Sequence, residues 1–181
     1  HHIISDQSSI AILMQDFARM YRGETLQSLD IQYKDYAEWR DEDASHGQSV
    51  EDAKFWIREF EDKPAPVELL TDFPRHGASS YSGDRRSIEL GESLSTQVND
   101  FCTQQGLTPY MLFMATLNLL IWKYTGQDDL VVGTAVAGRE KPELNNVMGM
   151  FVNMLAIRTS MDREWSTETY LNEMRGKLLS C

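Results

Sequence analysis

TPYMLFMATLNLLIWKYTGQDDLVVGTAVAG, residues 108–138, reads as an apolar helix that runs through a short polar turn into a strand. Thr108 is a residue type that caps helix N-termini, and Pro109 suits the first helical position, where its missing N–H costs nothing. Gly126 ends the pattern. The run DLVVGTAVAG (129–138) is apolar and β-branched with little alternation, the composition of a strand buried on both faces. Arg139 stands at its end. The apolar stretch 110–122 is too short to span a bilayer and holds Thr116 and Asn118, so it is expected to be a buried helix.

Working outward, GMFVNMLAIRT (149–159) predicts a second strand, with Phe151, Asn153, Leu155 and Ile157 on one face. Residues 166–180 predict a closing helix, capped by Ser166 and carrying Glu168 in its first turn, where the helix dipole favours a negative charge. On the other side, residues 94–105 predict a helix capped by Ser93 or Ser95, preceded by a short strand over Arg86–Leu90. Helices alternating with buried strands argue for an α/β sandwich. The segment 63–79 holds three prolines and a glycine and reads as a linker between lobes. Ahead of it, 32–44 and 49–62 predict helices, the second capped by Ser49 and bearing the aromatic face Phe55, Trp56 and Phe60.

The chain opens HHIISD. Ile3 and Ile4 read as a strand stub. A helix capped by Ser8 or Ser9 follows, with Ile10, Leu13, Met14, Phe17 and Tyr21 on one face and Gly23 as its stop. A purification-tag remnant would be expected to run into a linker, whereas this His pair runs straight into structure. With a net charge of −11 over 181 residues, the chain repels phosphate backbones and anionic lipid, which argues against nucleic acid or a membrane as partner. Cys102 and Cys181 form neither a disulfide framework nor a metal-binding pair, and read as free thiols of a cytosolic chain. His46 and His76 sit alone in loops and read as solvated. Nucleophile-elbow, P-loop and dinucleotide-binding patterns are absent. What remains is His2, Asp6 and Arg139: an imidazole able to accept a proton near neutral pH, an aspartate that can organise its loop, and a guanidinium suited to a bidentate partner.

These residues match a known pattern. HHIISDQ (1–7) resembles the HHxxxDG motif of the condensation domains of nonribosomal peptide synthetases, members of the chloramphenicol-acetyltransferase-like superfamily. IQYKDYAEW (31–39) resembles their YxDYAxW motif, VMGMFVNMLAIR (147–158) their IGxFVNTxxxR motif, and YTGQDDLVVGTAVAGRE (124–140) the stretch between the last two. All lie in family order, and the resemblance covers essentially the whole chain. It implies a partial two-layer α/β sandwich, an internal slice of one domain: residues 1–62 as the end of the N-terminal lobe, 63–79 as linker, and 80–181 as part of the C-terminal lobe.

It also implies the reaction, amide-bond formation between acyl chains held as phosphopantetheine thioesters on upstream and downstream peptidyl carrier domains. An adenylation domain would be a neighbour, no cofactor would be bound directly, and the location would be cytoplasmic. His2 matches the histidine that accepts the proton or orients the amine, His1 a structural histidine, and Asp6 a loop-fixing carboxylate, with Arg139 its expected partner. Asn153 is expected either to offer a hydrogen bond near the substrate tunnel or to pack in the core strand. Two positions depart from the pattern: Gln7 replaces a glycine, expected to cost backbone freedom, and Met154 replaces a threonine. Two alternatives stand beside condensation: epimerisation of a carrier-bound residue, which the YKDYAEW and FVN stretches fit less well, and a non-catalytic carrier-docking module. The 181-residue segment alone is expected to be inactive, lacking one wall of the tunnel.

Overall fold

The computed structural model describes residues 1–44, 48–73 and 83–181. His46, His76 and the last part of the expected linker lie outside the described residues. The chain divides into two compact units, each discontinuous in sequence: residues 1–63 with 133–156, and residues 64–132 with 157–181.

The first unit holds helices α1 (Gln7–Tyr21), α2 (Tyr33–Asp43) and α3 (Gln48–Glu59) and a 3-10 turn at Pro142–Asn146. Its core is small: Leu144, Val147 and Phe151, with Ile31, Tyr33 and Tyr36 packed against them. Phe151 meets Tyr36 at 4.7 Å between ring centroids and Tyr33 edge-on at 5.2 Å, geometries that aromatic pairs favour. Asp35 starts α2 by accepting the Gln32 N–H at 2.7 Å. Tyr33 donates its hydroxyl to the Met150 carbonyl at 2.9 Å. Its ring lies so close to Gly149 that a Cβ there would stand 2.0 Å from Tyr33 Cδ2, and only glycine fits. Ser49 does not cap α3, which starts one residue earlier; its hydroxyl donates to Asp43 Oδ2 instead. The apolar face expected on α1 is real but largely uncovered, with Ile10, Met14, Phe17 and Tyr21 all exposed.

The second unit holds α4 (Glu92–Gln105), α5 (Pro109–Thr125) and α6 (Thr167–Ser180). Its core is Met114, Ala115, Leu130, Met161, Tyr170, Leu171 and Met174. Burying side chains such as Leu130 and Leu171 contributes roughly 1.5–3 kcal/mol each. The expected signals around α5 all appear: Thr108 accepts the Met111 N–H at 3.2 Å, Pro109 is the first residue, and Gly126 closes the helix at φ +70°. Ser166 caps α6 by accepting the Thr169 N–H at 3.1 Å. Polar groups in this core are paired. Tyr170 donates to the Ala115 carbonyl, and Thr159 donates to Asn118 Oδ1 at 3.0 Å.

Strands β1 (Asp129–Val136) and β2 (Asn153–Ser160) form a two-stranded sheet. Arg158 pairs with Asp129 at 2.7 Å, while Met154 lies against Gly133, an order expected of antiparallel neighbours. Within β1 only Leu130 is fully buried, so this is not the doubly covered strand that its composition suggests.

Four other expectations need correction. Residues 86–90 form no strand, because no neighbouring strand pairs with them, and Ile88 is 88% exposed. Ile3 and Ile4 lie in and beside a turn rather than a strand, closed by the Ile4 N–H donating to the His1 carbonyl at 3.2 Å. The N-cap of helix α4 is Gly91, which offers no side-chain cap, and Ser95 donates its hydroxyl to Leu90 O. Helix α5 is buried only along Met114, Ala115 and Asn118, with Phe113, Leu117 and Leu120 exposed. Among the described residues, no helix is long and apolar enough to cross a membrane.

Candidate active site

The site grows from the first turn of α1. Asp6, not Ser8 or Ser9, is the N-cap: its backbone is extended and its Oδ1 accepts the Ser9 N–H at 2.7 Å. The same carboxylate accepts the Phe151 N–H at 3.2 Å on Oδ2 and the Ser9 hydroxyl at 2.8 Å on Oδ1. Arg139 Nη2 completes the set, 3.2 Å from Oδ1 and 3.4 Å from Oδ2. Both side chains are sealed, Arg139 at 6% and Asp6 at 1% exposure. Burial pushes the Asp6 carboxyl up. The Ser9 N–H and hydroxyl, the Phe151 N–H and Arg139 together outweigh it and bring the group down from 3.8 to about 2. Asp6 is therefore ionised at any ordinary pH.

Arg139 does more than neutralise that charge. Its Nη1 donates to the carbonyls of Leu144 and Val147, the latter at 2.7 Å, and its guanidinium lies 4.1 Å over the Phe151 ring. Its buried Nε has no partner among the described residues. Lysine could not replace this arrangement, since one ammonium cannot serve a carboxylate, two carbonyls and a ring face together.

The two histidines sit in the turn just ahead of this clasp, both exposed. His2 Nδ1 lies 3.2 Å from the Ser5 carbonyl oxygen. A carbonyl can only accept, so Nδ1 carries the proton and the Nε2 of a neutral ring keeps its lone pair. His1 has the reverse pattern: its Nδ1 accepts the Ile3 N–H at 3.1 Å, so its basic nitrogen is occupied in holding the turn. The ring able to take a proton through Nε2 is thus that of His2.

The remaining sequence-derived candidates fall as follows. Asn153 is exposed at the start of β2, and its Oδ1 accepts the Met154 N–H at 2.8 Å, so it does not pack in the core. Gln7 is an ordinary helical residue, the first of α1, and its φ is not positive. The backbone cost expected for Gln7 is therefore absent, because α1 begins here and does not need a glycine dihedral. A cavity of about 520 Å³ in the same unit is lined by residues including Asp16, Arg19, Asp30 and Glu143, and by neither histidine.

Sequence reasoning missed Ser9, Gly149 and Tyr33. Ser9 is fully buried, its hydroxyl touching Asp6, Arg139 and both backbone groups of Gly149. The spacing Asp6-x-x-Ser9 was the available signal, since an N-cap carboxylate faces the third helical residue. Four sequence stretches therefore meet in one cluster: 1–9, Tyr33–Tyr36, Arg139 and 147–151.

Comparison with known proteins identifies the family and the fold. A family model described as the condensation domain matches residues 1–181. The chain is 39% identical over 179 residues to surfactin synthase subunit 1 of Bacillus subtilis (strain 168), covering 99% of this chain and 5% of that protein. Among solved structures, it resembles the first condensation domain of the calcium-dependent antibiotic synthetase in complex with a substrate analogue, at TM-score 0.83 and 20% identity, covering 99% of this chain and 41% of that one. It also resembles a holo four-domain nonribosomal peptide synthetase bound to AMP and glycine, at TM-score 0.84 and 24% identity, covering 99% of this chain and 14% of that one. The fold is that of a partial α/β condensation domain.

Proposed function

The chain belongs to the condensation-domain family, and on that premise we propose that the protein carrying it joins acyl groups held as thioesters on carrier proteins through an amide bond. The acceptor's amine attacks the donor's thioester carbonyl. A C–N bond forms, the C–S bond breaks, and the released phosphopantetheine sulfur leaves with the electron pair. The amine must lose a proton as it becomes an amide nitrogen. His2 Nε2 is the group that takes it and can hand it to the departing sulfur.

The contact between His2 Nδ1 and the Ser5 carbonyl is the observation that carries this reading. With Nδ1–H held by Ser5 O at 3.2 Å, the exposed ring keeps its Nε2 lone pair, in a turn that runs directly into the buried Asp6. A positioned base contributes about 10²–10⁴-fold to such a reaction, and alignment of the two tethered groups can supply much of the rest. His1 supports the turn, Asp6 and Arg139 fix its base, and Asn153 stands at a strand start where it can reach a substrate amide. In this reading 1–62 end one lobe, 63–79 connect, and 80–181 begin the other, apart from 133–156, which pack with the first stretch. The partners are an upstream and a downstream carrier domain, with an adenylation domain nearby, in a soluble cytoplasmic synthetase. The chain binds no cofactor of its own; phosphopantetheine arrives with the substrates.

The test uses the intact synthetase with donor and acceptor loaded on their carriers. His2→Ala is expected to abolish dipeptidyl product while leaving carrier loading intact. An undiminished yield would refute the assignment. Carrier binding without product in either form would identify a docking module instead, and inversion of a carrier-bound residue supplied alone would identify an epimerase.

A further inference from the structure

Ser9 is the third residue of α1 and is sealed from solvent, although the capping of that helix falls to Asp6. Its hydroxyl lies 2.8 Å from Asp6 Oδ1, 2.8 Å from the Gly149 carbonyl, 3.0 Å from the Gly149 nitrogen and 3.2 Å from Arg139 Nη2. A hydroxyl has one proton to give and two lone pairs to receive with. The Gly149 N–H and the Arg139 N–H take the lone pairs. The proton goes to the Asp6 carboxylate in preference to the competing carbonyl, because a bond to a charged acceptor is the stronger one.

We propose that Ser9 is a positioning residue for His2. The inference rests on the reading of His2 as the proton acceptor. A continuous line of contacts supports it. The Tyr33 ring and its hydroxyl bond to Met150 hold the backbone at Gly149. Ser9 joins that backbone to Asp6, and Asp6 is bonded through its own peptide to Ser5, whose carbonyl receives the His2 Nδ1–H. Removing the hydroxyl detaches Asp6 from the 149 segment at one oxygen and lets the Ser5 carbonyl, and with it the imidazole, drift. Asp6 keeps the Ser9 and Phe151 N–H groups and Arg139, so the unit stays folded.

Ser9→Thr and Ser9→Val separate the hydroxyl from shape, since the two side chains have nearly the same outline. In the intact synthetase with both carriers loaded, and with rates taken per folded protein, Ser9→Val is expected to lower kcat by about 10–100-fold, the scale of a small misplacement of a reacting group. KM for the loaded acceptor carrier is expected to stay within about twofold, and Ser9→Thr to restore kcat to within about threefold of the parent. Ser9→Ala, which needs no extra room, carries the comparison if the larger variants fold poorly. Thr159→Val removes a comparable buried hydroxyl bond in the other unit and is expected to leave kcat within about threefold. Equal rates for Ser9→Val and Ser9→Thr, or an equal loss in Thr159→Val, would overturn the inference. His2→Ala run alongside distinguishes the two failures. If it still forms product, the assignment of the base falls and the role of Ser9 with it. If it does not, while Ser9→Val matches Ser9→Thr, only the role of Ser9 falls.

Discussion

Asp6→Asn keeps the size of the side chain and removes its charge, and the structure fixes what this should cost. In the folded chain the carboxyl is brought from 3.8 down to about 2. That lowering puts the preference of the fold for the ionised form at about 2 kcal/mol near neutral pH. Asparagine meets a second problem, because Ser9 N, the Ser9 hydroxyl, Phe151 N and Arg139 all donate towards Asp6. Whichever way the amide turns, its NH₂ faces a donor, which adds on the order of 1 kcal/mol. The total of about 3 kcal/mol corresponds to an open state ~100–200-fold more populated and exchange faster by the same factor. The assay is hydrogen exchange read by mass spectrometry at the Ser9 and Phe151 amides. The sign of the pH dependence follows from a lowered folded value. The contribution is complete above about pH 4 and is lost as pH falls towards 2, so the ratio between variant and parent should shrink several-fold at pH 3. Exchange within threefold of the parent at pH 7, or a ratio that does not shrink in acid, would refute the account of the clasp.

Two further outcomes follow from the packing. Gly149→Ala puts a methyl 2.0 Å from Tyr33 Cδ2, so the ring must leave and its bond to Met150 O is lost. The expected cost is about 3 kcal/mol in thermal unfolding, and adding Tyr33→Ala should cost less than the sum of the two changes. Burial pushes the Tyr170 hydroxyl up to about 12. Its contribution to stability is present below pH 10 and lost as pH rises from 10 towards 12, a loss that Tyr170→Phe should abolish in an alkaline unfolding series.

The elements legible in the sequence are those whose signals are local. Thr108, Pro109 and Gly126 bound α5, and Ser166 starts α6, because capping involves residues within one turn of each other. The strand expected at 86–90 fails for the opposite reason. A β-branched residue such as Ile88 fits a strand only if another strand lies beside it, and no local pattern reports that neighbour. The candidate site divides in the same way. His2, Asp6 and Arg139 could be singled out by residue type and motif. Ser9 was hidden beside Ser8 as one of two equivalent-looking caps. Gly149 gave no sign of its role, since what excludes a side chain there is the ring of Tyr33, a contact made only on folding.

The segments that close around Asp6 are far apart in the chain: 133 residues separate it from Arg139, and 140 separate Ser9 from Gly149. At translation speeds of about 5–20 residues per second, the aspartate is made roughly 7–27 s before its guanidinium. Throughout that interval α1 has its cap but no counter-ion, and its first turn must wait in water. The histidines of this turn thus acquire their fixed orientation late in synthesis, once the sequence through Phe151 has emerged to enclose the acid.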